Sequence, residues 1–529
     1  MSGEAGASQK SEKQAWAPAH NPWLIAVVVT VAAFMEVLDT TIVNVSLPHI
    51  AGNLSTSYDD ATWALTSYLA ANGIVLTISG WLGRVLGRKR YFMICIGMFT
   101  VCSFLCGISS SLPQLIVFRL LQGFFGGGLQ PNQQSIILDT FPPSKRSGAF
   151  AITAVATVVA PALGPTLGGY ITDNFSWRWV FFINVPIGIV GLLAVAALVD
   201  DPPWARKQKA SIDVIGLSLI TLGLGCLQVM MDRGEDDDWF GSPFIRILAL
   251  LSVTGILGAI GWLLTTKRPV VDLRVFADRN FAVGTLLIGV LGFTLYSSAV
   301  LVPQFAQQVI GYTATLAGLV LSPGALGIIV LIPFVNMAMK RVQPRYVIAF
   351  GYAVMGFALV LSAHLVLTIN FRTLVEYRAA QAAALAFLFV PISVVTYQTL
   401  PKELNGDASA LFAMMRNVFG SIGISCATSL VTERSQIREA HLVHWMTPFH
   451  QPFNDFNAHT RSLLQQLGRA PGTIQSGVNH QIYQQFTRQA SALAYNDAFL
   501  CFAAVAFGVI PFCWLLSGRK SGGGPPAGH

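Results

Sequence analysis

Fourteen apolar stretches, each about twenty residues long, punctuate the 529-residue chain and constrain its fold more than any other feature. A helix needs ~20 apolar residues to cross ~30 Å of hydrocarbon, and within lipid each backbone amide must find its partner inside the segment. The stretches therefore read as transmembrane helices. Eight begin near Trp23, Trp63, Tyr91, Pro113, Ser147, Val180, Val214 and Phe244, and six more near Phe281, Thr313, Tyr346, Leu374, Asp407 and Ser491. Composition agrees: 53% of the residues are hydrophobic and 11% charged, against about 25% charged in ordinary globular domains. A soluble multidomain protein is excluded. All seven cysteines lie inside apolar runs without metal-ligand spacing, so neither a disulfide framework nor a metal site is expected.

The net charge of +8 would suit anionic lipid or nucleic acid, but in a membrane chain its distribution decides. With the N-terminus inside, the inner segments hold 21 Lys and Arg, among them Lys10, Lys13, Arg206, Lys207, Lys209, Arg519 and Lys520. The short outer loops hold 3, namely Arg178, Arg233 and Arg372. Positive charge is retained on the cytoplasmic side, so both termini are expected there, with lipid rather than nucleic acid as the surrounding partner. The long outer loop 433–490 stands outside this count because long segments cross regardless of charge. The polar stretch Met1 to Asn21 precedes an apolar run too long for a signal peptide and reads as an uncleaved tail.

Two inner loops occupy matching places in the two halves: Gly80-Trp81-Leu82-Gly83-Arg84-Val85-Leu86-Gly87-Arg88-Lys89-Arg90 and the degenerate Asn336-Met337-Ala338-Met339-Lys340-Arg341. The match predicts a duplicated bundle with spans seven and eight inserted, and repeats of this kind put a transporter's binding site at their interface. The expected division is a tail at 1–22, a six-helix bundle at 23–200, two inserted helices at 201–266, a second six-helix bundle at 267–517 carrying the periplasmic loop 433–490, and a Gly-rich tail at 518–529.

The first of these loops resembles the inner-loop motif of the major facilitator superfamily, Gly-x-Leu-x-Asp-Arg-x-Gly-Arg-Lys, and Arg119-Leu120-Leu121-Gln122-Gly123 is similar to its second motif. Gly164-Pro165-Thr166-Leu167-Gly168-Gly169 resembles the stretch associated with drug antiporters. Leu38 to Pro48 and Trp177 to Pro186 look like signatures of the fourteen-span drug:proton antiporter-2 family, and the similarity runs essentially the whole chain. The resemblance implies an all-α membrane protein of the major facilitator fold, two six-helix bundles plus two inserted helices. One departure stands out: Arg84 occupies the place of the motif's Asp, so a latch built on that acid cannot be carried over, although Gly80, Arg84, Gly87, Arg88 and Lys89 remain the expected gating loop.

Ionisable residues inside spans are costly and face a cavity or a partner. Glu36 and Asp39 are three apart and share a helix face. From the helical rise, Asp39 lies about 8 Å and Arg119 about 9 Å below the same membrane edge. They are expected to share a solvated cavity, with Gln122 at the depth of Glu36, either as a proton-coupling and substrate site or as a fixed pair that orients the helices. Asp39 is expected to be the indispensable acid, with Asp39→Asn losing coupled export in a folded protein and Glu36→Gln having a milder effect. Asn44 joins the candidate cavity from span one. Tyr296, Gln304, Tyr397 and Gln398 lie on spans nine and twelve, which resemble the cavity-lining helices of the second bundle, and are either substrate contacts or packing residues. Arg416 is expected to snorkel toward the inner headgroups. In the antiporter stretch, small residues allow close backbone approach. The resemblance implies that Gly164, Pro165, Gly168 and Gly169 limit proton leak by tight packing against the opposing bundle.

No enzyme signature and no phosphate loop occurs, so no cofactor is expected and transport must draw on an ion gradient. The function implied is proton-driven export of small hydrophobic drug-like molecules, cationic or weakly acidic, across a bacterial inner membrane. A metabolite transporter or a transport-inactive receptor or scaffold are the alternatives. In the outer loop, Ile437, Leu442, Trp445 and Met446 predict a helical continuation of span thirteen. Leu463, Leu464 and Leu467 mark a second amphipathic stretch, and Ile482, Tyr483 and Phe486 a third. This projection is either a cap or, as the resemblance implies, a docking surface for a periplasmic membrane-fusion adaptor linked to an outer-membrane channel.

Overall fold

Local signals start the helices where the apolar runs begin. Asn21 accepts the Trp23 N–H (3.0 Å) and Pro22 supplies the first helical residue of α1, Pro22–Asn53. Ser57 caps α2, Tyr58–Leu86, by accepting the Asp60 N–H at 3.0 Å. Gly87 separates α2 from α3, Arg88–Gly107, at φ 85°, a left-handed conformation that glycine adopts at little cost. The computed structural model describes residues 18–202, 213–447, 449–467 and 471–517. The tail lysines Lys10 and Lys13, loop cations Arg206, Lys207 and Lys209, and the Gly-rich tail with Arg519 and Lys520 lie outside the described residues.

The first bundle continues with α4 (Leu112–Gly126), α5 (Leu129–Thr140), α6 (Arg146–Asn174), α7 (Trp179–Phe182) and α8 (Asn184–Leu198). The inserted pair is α9 (Val214–Arg233) and α10 (Pro243–Thr265). The second bundle holds α11 (Arg279–Gln304), α12 (Ala314–Arg341), α13 (Pro344–Ser362), α14 (Phe371–Thr396), α15 (Asn405–Leu442), α16 (Gln451–Gln466) and α17 (Pro471–Gly508). No strand occurs among the described residues.

Twelve of these helices are long and apolar enough to cross a membrane, thirteen if α6, bent by 42° between Pro161 and Leu163, counts as one span. The expected fourteen is not reached by this measure. The shortfall has a physical cause: α4 and α5 are interrupted at Gly127-Gly128, and α5 carries Gln130, Asn132, Gln133 and Gln134, all buried. A side chain at Gly128 would run into Tyr91 and Cys95 of α3, so the glycine run serves close helix approach and not phosphate binding.

Within the first bundle α1 lies along α6, and α2 and α3 along α4; in the second, α11 pairs with α15 and α13 with α14. The bundles meet through α2 and α5 against α15, and α6 against α12 and α14. Close packing of α9 and α10 comes from Gly223 and Gly255 set back to back. Helix α9 touches both bundles: Gln228 exchanges hydrogen bonds with Ser421 of α15 (3.0 and 3.1 Å), and Thr66 of α2 donates to Asp232.

In the projection, α15 runs on to Leu442, α16 covers the second amphipathic stretch up to Gln466, and α17 is continuous from Pro471 into the last span. Arg438 and Asp497 join its two long helices by a bidentate pair, at 3.0 and 2.7 Å.

Candidate coupling and gating site

Asp39 and Arg119 do meet. Residues 17 and 7 positions into two antiparallel helices arrive at one level, and Arg119 Nη1 lies 2.6 Å from Asp39 Oδ2, with neither side chain exposed. The carboxylate is saturated: Gln122 donates to Oδ1 at 3.1 Å and Asn184 to the same oxygen at 2.8 Å. Arg119 donates further to Gln122 (2.8 Å) and to the Ala64 carbonyl (3.2 Å), and stacks 4.1 Å from the Tyr68 ring. Gln122 thus serves Asp39 and not the level of Glu36. The pair sits inside the first bundle, closed to solvent, rather than in an open cavity.

Glu36 points elsewhere. One oxygen accepts from Asn72 at 3.0 Å and the other from Gln130. Gln130 in turn accepts, at its own oxygen, from Nη2 of Arg416 on α15 of the other bundle. Arg416 therefore does not snorkel: it is wholly buried, eleven residues inside α15, about 16 Å from the helix end and too deep to reach headgroups. Tyr296 faces the same guanidinium and packs on Gly420. A chain from Glu36 through Gln130 to Arg416 thus crosses the bundle interface. Among the described residues Glu36 is held by neutral donors and Arg416 has no acid in contact, so the two charges face each other through one amide.

The remaining candidates lie apart. Tyr397 donates to Gln134 Oε1 (3.1 Å), another contact across the interface, and stacks on Phe150. Gln304 is half-buried where α11 widens into the π-helical turn Phe305–Ile310, about 12 Å along the helix from Tyr296. Asn44 is exposed on α1. Gly164 and Gly168 abut Thr41 and Ile42 of α1, within their own bundle; between them Thr166 meets Gly318 of α12 in the opposing bundle. Gly169 is buried beside them.

At the end of the molecule bearing the basic loop, the bundles are locked. A Cβ on Gly80 would lie 2.8 Å from the Gly406 carbonyl, so backbone meets backbone there. Arg84 pairs with Asp407 at the start of α15, which means a latch exists with its charges reversed relative to the family motif. Ser135 and Ser409 share a hydrogen bond of 2.6 Å across the interface, while within the first bundle Arg88 pairs with Asp139 and the Lys89 N–H donates to Asp201 at 2.8 Å.

Sequence reading missed Asn72, Gln130, Asn184 and Asp407. Asn184 lay in the span-six signature and Gln130 among four amides inside an apolar stretch, which is the signal that could have found them.

Two bundles joined along α2–α15 and α6–α12, with intramembrane charges facing their interface, match known proteins. The model of the Major Facilitator Superfamily matches residues 29–424. The chain belongs to the major facilitator superfamily. Multidrug export protein EmrB of Escherichia coli (strain K12) is 36% identical over 510 residues, covering 95% of this chain and 97% of that protein. Fatty acid resistance protein FarB of Neisseria gonorrhoeae is 33% identical over 499 residues, 93% and 96% of the two chains. Among solved structures, the proton:xylose symporter XylE superposes with a TM-score of 0.58 at 13% identity, covering 93% and 95%, a likeness of fold. The human organic anion transporter MFSD10 gives 0.55 at 12% identity, covering 92% and 100%. This major facilitator protein is a multi-pass membrane transporter.

Proposed function

We propose that the protein is a proton-driven exporter of small hydrophobic drug-like molecules in a bacterial inner membrane, with both termini cytoplasmic. The observation that carries the reading is the link Glu36–Gln130–Arg416. Protonating Glu36 removes the charge that faces Arg416 across the interface and weakens the tie between bundles. Deprotonation restores it. A proton on one acid is thereby exchanged for a rearrangement of the two halves, which is what antiport by alternating access requires.

In this reading Asp39 and Arg119 hold α1, α2, α4 and α8 in register so that Glu36 faces the interface. The basic-loop end, closed by Arg84 and Asp407, is the cytoplasmic gate, and the conformation is one closed toward the cytoplasm. EmrB is named a multidrug export protein and FarB a fatty acid resistance protein, and both names support a drug-like, amphipathic cargo. The outer projection of α15, α16 and α17, which leaves Phe449, Leu467 and Tyr483 exposed, is the docking surface for a periplasmic adaptor leading to an outer-membrane channel.

The reading is tested in everted vesicles carrying the full chain. Accumulation of a fluorescent lipophilic cation must require an inside-acid pH gradient and cease on adding a protonophore. Accumulation without any proton movement would favour a metabolite-type facilitator, and absence of transport with retained ligand binding a receptor.

A further inference from the structure

The second bundle contains a buried arginine that the coupling scheme does not use. Arg378 lies on α14, seven residues from Phe371, about 10 Å into the helix. Its Nη1 donates to Gln381 Oε1 at 2.8 Å and to Ser298 Oγ on α11 at 2.9 Å. Gln381 Nε2 donates onward to Ser362 Oγ on α13 at 2.7 Å.

This is the Arg119 site over again. Both arginines sit on the fourth helix of their bundle, both hold a glutamine three residues later, and both Nη1–Oε1 distances are 2.8 Å. Ser362 on the third helix corresponds to Ser103, which receives Asn184 in the first bundle (3.1 Å). The difference is on the first helix of each repeat. Where α1 offers Asp39, α11 offers Ser298.

The substitution leaves Arg378 a cation without a counter-ion. Its nearest acid in sequence, Glu376, points outward and pairs with Arg372 at 2.8 Å. Asp407 is taken by Arg84 and Asp497 by Arg438. No carboxylate contacts Arg378 among the described residues. Hydroxyl and amide oxygens satisfy hydrogen bonds without cancelling charge, and a buried charge in a membrane span needs cancelling. Arg378 keeps 5% of its surface open, whereas Arg119 keeps none.

We propose that Arg378, with Ser298 and Gln381, binds a monoanion, a halide or a carboxylate, at the position that Asp39 fills permanently in the first bundle. The guanidinium fork recognises either, and a carboxylate bidentately. The first repeat has built its anion in; the second takes it from solution or from an acidic substrate. This goes beyond the export reading and does not depend on the direction of transport.

The test uses the full chain in detergent, with Tm followed by intrinsic fluorescence while chloride or acetate is titrated against a bulky sulfonate at constant ionic strength. The wild type is expected to show a saturable rise in Tm with at least one of the two anions, since a ligand that binds only the native state stabilises it by mass action. Chloride alone assigns a halide site, and a response to acetate assigns a carboxylate. Arg378→Gln should lose the response. Ser298→Asp, which restores the internal counter-ion, should lose it as well while matching or exceeding the wild-type Tm without added anion, and so keeps the test decisive if Arg378→Gln fails to fold. A flat titration with both anions, or a response that survives Ser298→Asp, overturns the proposal.

Discussion

Two carboxylates three residues apart on α1 face different neighbours, and the proposed function gives them different work for that reason. Asp39 is closed in with Arg119, Gln122 and Asn184, and Glu36 looks through Gln130 to Arg416. Asp39→Asn therefore strands a buried guanidinium, and removing one partner of such a pair costs about 3–5 kcal/mol. The expected result is a lower Tm and reduced membrane abundance, both measurable on a tagged protein, with export falling in proportion. Full abundance with no export would return the coupling role to Asp39. Arg119→Lys should be impaired as well, since an ammonium cannot reproduce contacts with Asp39, Gln122 and the Ala64 carbonyl from one planar fork. Glu36→Gln keeps the shape and one of the two acceptor oxygens, toward Asn72 or Gln130, but not the titrating charge, so the protein stays folded in the membrane and proton-dependent export goes. Asp39 and Arg119 were legible from sequence because helical rise alone matched their depths. The partnership of Gln130 with Arg416 was not: the two are 286 positions apart and on different bundles, and no periodicity reports how bundles close.

At the level of helices, glycine marks where backbones touch. Gly80 faces the Gly406 carbonyl, and neither backbone can withdraw without moving a helix. Gly80→Val should hold the basic-loop end apart. A cysteine placed by Ser135→Cys, shielded in the closed form by Ser409, should then react severalfold faster with a maleimide; an unchanged rate would mean that α2 and α15 separate without that contact. The projecting helices give a second expectation. Replacing residues 447–482 with a short Gly/Ser linker removes α16 and the start of α17 but leaves the Arg438–Asp497 clasp. Drug binding to the isolated protein should persist while export across a double membrane is lost; unchanged resistance and unchanged adaptor co-purification would exclude docking there. The continuation of α15 and the two later helices were readable from their apolar spacing. The break at Gly127-Gly128 was not, because its setting is tertiary: a side chain at Gly127 would meet Asn72 and Val75 of α2, and one at Gly128 would meet Tyr91 and Cys95 of α3.

For the molecule as a whole, two bundles are closed at one end by a charge-reversed latch and joined by an acid–amide–arginine link, and the proposed function makes of them a device with two positions. The duplication was visible in the repeated inner loop, but the substitution of Arg84 concealed the latch until Asp407 was seen opposite it. Arg84→Asp and Asp407→Arg should each impair transport, and the double exchange should recover most of it, because the attraction depends on opposite sign and not on which bundle carries it; failure of the double variant at normal abundance would deny the pair a gating role. The central claim, that a proton on Glu36 is exchanged for drug, is tested most directly by drug-induced proton flux in proteoliposomes holding the full chain and a trapped pH indicator. The account predicts that an apolar drug triggers proton movement in the wild type and none in Glu36→Gln, while both bind the drug equally. Equal flux from the two proteins would contradict it.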